Sequence, residues 1–122
     1  MTFSELYNVA MKIITDKLTL KELNEMAKNM FGNLVKAVVD IDKKIMIVDG
    51  ELHSDEEALL IQNGSEQKNL WGINIYPEMK EDFIEFDSMI NIRPTMNNKT
   101  RNIEDESIRK IIIEIVNRLI SK

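Results

Sequence analysis

Apolar residues recur at helical spacing early in the chain. Leu20, Leu23, Met26, Ala27, Met30 and Phe31 lie on one face of a 3.6-residue period. Thr19 and Glu22 have the spacing of a capping box, Leu18 and Leu23 that of a hydrophobic staple, and Gly32 offers a left-handed C-terminal cap. The pattern therefore predicts a helix over about 20–31, preceded by a strand-like Lys12–Thr15. The period then changes to two. Val35–Ile41 and Ile45–Val48 are rich in β-branched residues and flank a polar Asp42-Lys43-Lys44, which predicts a hairpin. Leu70–Tyr76 alternates, with Trp71, Ile73 and Ile75 on one side and Gly72, Asn74 and Tyr76 on the other, and Pro77 stops it. Phe83–Arg93 alternates as well. Ile84, Phe86, Ser88, Ile90 and Ile92 form one face, and Glu85, Asp87, Met89, Asn91 and Arg93 the other.

Residues 49–68 read two ways. Ser54 and Glu57 repeat the capping-box spacing, and Asp55, Glu56 and Glu57 suit a helix start. Ala58–Ile61 could complete that short helix or form a strand turning at Asn63-Gly64; the start signal favours the helix. A final helix over about 104–121 carries a broad stripe of Ile108, Ile111, Ile112, Ile115, Val116, Leu119 and Ile120, with acids at its start and Arg118 near its end. Strands joined by short connections, with one packed and one wet sheet face, predict an α+β fold: a two-layer sandwich whose mostly antiparallel sheet of about five strands carries helices on one face. Residues 1–10 form a short amphipathic piece with Phe3, Leu6, Tyr7 and Ala10 on one side. They read as an N-terminal extension to a single domain over 11–122.

Composition narrows the chemistry. The 122 residues include no cysteine and one histidine, and 16 basic against 21 acidic side chains leave a net charge of −5. A chain of this length buries about two thirds of its surface on folding and needs no disulfide or metal staple. The missing cysteines exclude a disulfide framework, a thiolate zinc site and a cysteine nucleophile. The acidic balance argues against nucleic-acid binding that rests on phosphate neutralisation. The apolar runs are only a few residues long and the start lacks a signal-peptide pattern, so a cytoplasmic protein with no membrane partner is expected.

Five phrases carry a resemblance. They are Lys36-Ala37-Val38-Val39-Asp40, Gly50-Glu51-Leu52-His53, Gly64-Ser65, Leu70-Trp71-Gly72-Ile73-Asn74-Ile75-Tyr76-Pro77 and Phe86-Asp87-Ser88-Met89-Ile90-Asn91-Ile92-Arg93-Pro94. Together they resemble a family of small prokaryotic proteins classified only as a domain of unknown function, number 5674. With the flanking helices the resemblance spans residues 11 to about 121 and leaves out the first ten. It implies a stand-alone domain and no activity.

Three constellations can carry chemistry. His53 with Glu51, Asp55, Glu56 and Glu57 could hold a divalent metal whose bound water attacks an ester or amide, a metal-assisted hydrolase centred on His53, Asp55 and Glu51. Against it, catalytic zinc wants two or three imidazole or thiolate ligands, no calcium-loop spacing is present, and the acids are explained by a helix start. The second constellation is the wet sheet face. Pairing of the last two strands would bring Asn74 and Tyr76 beside Glu85, Asp87 and Asn91, with Arg93 further along. Amides, carboxylates, a guanidinium and a phenol can orient a ligand by hydrogen bonds. The plain alternatives are ion pairs across the strands, such as Asp87 with Arg93, or a covering loop or subunit. The Trp71 side reads as core. The third is a basic loop, Arg93, Lys99 and Arg101, whose use as a phosphate site is opposed by Glu104, Asp105 and Glu106. Glycine-rich phosphate loops, nucleophile elbows and paired-histidine helix motifs are missing. Glu85 and Asp87 share a strand face about 7 Å apart, which alone is thin support for acid–base catalysis. The expectation is thus a non-enzymatic binding or interaction domain with no cofactor and no resident metal. It would take a small polar ligand or a protein partner through Glu51, His53, Asn74, Tyr76, Glu85, Asp87, Asn91 and Arg93. Eight methionines and exposed edge strands also allow a homodimer.

Overall fold

The computed structural model describes residues 10–122, so the amphipathic reading of the first residues lies outside what is described. Five short strands form one antiparallel sheet: β1 (Lys12–Ile14), β3 (Val35–Asp40), β4 (Ile45–Val48), β5 (Leu70–Ile75) and β6 (Ile84–Glu85), in the order β1-β4-β3-β5-β6. Among the described residues three helices accompany it: α1 (Leu20–Asn29), α2 (His53–Gln62) and α3 (Glu106–Leu119). A separate parallel pair joins β2 (Leu18–Thr19) to β7 (Ile120–Ser121), which the periodicity did not signal because each strand is two residues long.

The α+β class, the antiparallel five-stranded sheet and the helical layer over its Trp71 side are as the pattern predicts. Register explains the core. Ala37 stands beside Ile73 and Val48, and Val39 beside Trp71 and Met46. These side chains share one sheet face and pack with Leu23, Met26 and Ala27 of α1 and Ile112, Ile115, Val116 and Leu119 of α3. Each large aliphatic side chain sealed there contributes about 1.5–3 kcal/mol relative to exposure. Strand alternation sends Val38, Ile47 and Leu70 to the other face, where Leu60 of α2 and Met11 cover them. The structure thus adds a second, thinner cover, α2 with the 3₁₀ turn Met89–Asn91, over part of the face expected to be wet.

Local signals hold at α1. Thr19 and Glu22 make the reciprocal capping box, and the Gly32 N–H, at φ 94°, bonds the Ala27 carbonyl at 2.6 Å. At α2 the helix exists but its expected cap does not. Leu52 occupies the N-cap without a side-chain bond, and the helix begins at His53. An early start turns His53 and Glu56, three residues apart, toward the sheet. The larger correction concerns the expected strand over 83–93. Only Ile84–Glu85 pair with β5, and the chain then bends into the Met89–Asn91 and Pro94–Met96 turns.

Candidate functional site

The bend after β6 has a physical origin in Gly72. A Cβ built there would sit 2.5 Å from the Ser88 Cβ and 2.6 Å from its Oγ, so the glycine admits Ser88 against β5. The free edge of β5 is then closed by one side chain. Asn91 Oδ1 accepts the Gly72 N–H at 2.8 Å, and its Nδ2 donates to the Gly72 carbonyl at 2.9 Å and the Arg101 carbonyl at 3.0 Å. The amide stands in for a missing strand partner. Asn98, which the sequence reading did not single out, organises the following loop. Its Nδ2 donates to the carbonyls of Asn91 and Asn102, both at 2.7 Å, and its Oδ1 accepts the Glu104 N–H at 2.8 Å. The one visible signal was the turn-forming pair Asn97-Asn98.

The expected face therefore divides. Asn91 is fully buried in these backbone bonds. Arg93 pairs with Glu57 of α2 at 3.1 Å, and its guanidinium lies 5.0 Å from the centre of the Trp71 ring. Burial lowers the Arg93 pKa against the opposing pull of Glu57. Asp87 bonds Arg101 at 2.6 Å instead of Arg93. That bond also takes one cation of the basic loop, and the Lys99 backbone is held by Glu104.

Asn74, Tyr76 and Glu85 do converge. β5 and β6 place Asn74 opposite Glu85. Asn74 Nδ2 donates to Glu85 Oε1 at 2.9 Å and to the Asp87 carbonyl at 3.3 Å, and the Tyr76 hydroxyl donates to the same Oε1 at 3.0 Å. Burial, and then the bond to Glu85, raise the Tyr76 pKa, so the phenol keeps its proton. Asn74 is 7% exposed, and its Oδ1 has no partner among the described residues. Tyr76 and Glu85 line a cleft of about 450 Å³ with Met79, Asp82 and Ile84.

His53 lies on the same side of the sheet, buried, with Nε2 2.8 Å from the Ile73 carbonyl. A carbonyl only accepts, so Nε2 carries the proton that it donates to Ile73. Burial lowers its pKa more than the Ile73 bond raises it. Glu56 is wholly buried. Its Oε2 accepts the Gly50 N–H at 3.1 Å, its Oε1 has no partner among the described residues, and burial raises its pKa well above the ordinary carboxyl range. Gly50 is required by this contact, since a Cβ there would lie 2.4 Å from the Glu56 Cγ. Glu51 is exposed in the loop that follows β4. Among the described residues no three histidine, aspartate or glutamate side chains are grouped to hold a metal ion. The ring of His53 is turned to the Ile73 carbonyl of the sheet.

The family model described as "Protein of unknown function (DUF5674)" matches residues 12–119, nearly the whole chain. The chain belongs to that family. Membership in DUF5674 carries no activity with it, so the site is read from its own geometry. Comparison with curated proteins and with solved structures finds no match. Among the described residues no helix is long and apolar enough to cross a membrane.

Proposed function

We propose that this protein is a non-enzymatic binding domain whose site is the Tyr76–Glu85 end of the polar sheet face. One observation carries the reading. The Glu85 carboxylate is held by two donors on one oxygen, at the wall of an open cleft. An acceptor fixed before binding loses little rotamer freedom when a ligand arrives. Its second oxygen suits an N–H donor, and a charged donor gives the stronger bond. The matching ligand is a small polar molecule or a protein side chain bearing an amine or guanidinium. Asp82 adds negative charge, and Met79 and Ile84 supply apolar contact to its carbon stem. The exposed Asp87–Arg101 pair extends the polar surface.

Calorimetric titration with argininamide and putrescine tests this. Saturable binding is expected, weakened about tenfold or more by Glu85→Ala and several-fold by Tyr76→Phe, with Asp87→Ala nearly silent. Equal binding by wild type and Glu85→Ala, or none by either, would sink the reading.

A further inference from the structure

A different pair of clefts lies around Phe83. The first, of about 450 Å³, opens between β6 and α3. Phe83, Ile84, Phe86 and Ile113 form its apolar lining, and Lys80, Asp82, Asn117 and Lys122 its polar lining. The second, of about 660 Å³, runs from Phe83 toward Leu20 of α1. Both volumes are in the range that holds a small molecule. The clefts exist because β6 ends after two residues. Phe83 and Phe86 pack their inner sides on the main core while their outer sides remain half-exposed, and Ile113 points away from the core-facing stripe of α3.

Charge selects the occupant. Lys80 and Lys122 line both clefts, whereas Asp82 lines only the first and Glu78 only the second. The three ion pairs among the described residues involve neither lysine. The Lys122 ammonium lies 5.8 Å from the centre of the Phe83 ring, directly over the apolar floor. In a protein with a net charge of −5, two cations without an ion-pair partner among the described residues, beside half-exposed aromatic surface, are matched by a ligand of the opposite sign. We propose that the clefts around Phe83 bind a small amphipathic carboxylate, its acyl or aryl body on Phe83, Phe86 and Ile113 and its carboxylate between Lys80 and Lys122. The site is separate from Glu85, whose chemistry favours cations.

The test is an amide-resonance titration of the full chain with octanoate, and with octanol and octylammonium as matched neutral and cationic probes. Octanoate should shift the amides of Phe83, Phe86, Ile113 and Asn117 saturably, and the two controls should bind about tenfold more weakly. K80Q/K122Q should weaken octanoate about tenfold and leave octanol unchanged. Ile113→Asn, at an exposed position that leaves folding intact, should weaken both. Glu85→Ala should change neither, which separates this site from the cation cleft. Octanol or octylammonium binding as tightly as octanoate, indifference to K80Q/K122Q, or shifts located elsewhere would each overturn the proposal.

Discussion

Gly72 shows how one missing side chain reorganises its surroundings. The space its Cβ would fill is held by Ser88, which is almost fully buried and bonded through its backbone to the Arg101 carbonyl. Gly72→Ala forces that contact apart and should cost about 1–3 kcal/mol by urea denaturation. Adding Ser88→Gly should restore part of the loss, because the two positions are coupled through one contact. An additive double variant would show that the cost arises elsewhere. The same glycine explains why Asn91 is structural. Only with Ser88 seated does the chain turn so that an asparagine amide meets both backbone groups of residue 72. From the sequence, Asn91 and Arg93 alternate in step with Glu85 and look equivalent to it. Alternation reports which way a side chain points if the strand continues; it holds no information on where a tertiary contact ends the strand.

Among the elements, α2 carries two buried ionisable groups, His53 and Glu56, whose pKa values burial moves toward the neutral form. Glu56 faces Lys36, Asp49 and Asp55, and His53 faces Lys36, Asp87 and Arg101. The raised Glu56 pKa makes its contribution complete below the ordinary carboxyl value of 4.5 and lost as pH rises through the folded-state value. The lowered His53 pKa makes its contribution complete above 6.5 and lost as pH falls through the folded-state value. Stability measured by urea denaturation across pH 4 to 9 should therefore fall on both flanks through these two groups. Glu56→Gln should flatten the alkaline side and His53→Asn the acid side; unchanged profiles would refute the assignment. Legibility follows the same physics. α1, the 35–48 hairpin, β5 and α3 were readable because caps, turns and periods are local. The buried role of Glu56 was not, since Asp55, Glu56 and Glu57 are indistinguishable until the start of α2 fixes which one faces Gly50. Of the candidate site, Asn74, Tyr76 and Glu85 were legible from strand pairing, whereas the clefts depend on where β6 stops.

At the scale of the molecule, the sheet separates a large core under α1 and α3 from a smaller one under α2, and the parallel β2–β7 pair lies where α1 begins and α3 ends. Leu18 and Ile120 are paired neighbours and both belong to the larger core. Ile120→Ala should therefore cost about 2–4 kcal/mol, and hydrogen exchange should accelerate together at residues 18–19 and 120–121. Acceleration confined to one strand would show that the pair is not a cooperative unit. The direction of this pairing also sets a mechanical property. Tension applied before β2 and after β7 pulls two parallel strands past each other along their length. Their bonds are then loaded in shear and must break together instead of one at a time. A contact only two residues long thus resists in shear a force applied across it, together with the β1–β4 pairing that precedes it in the chain.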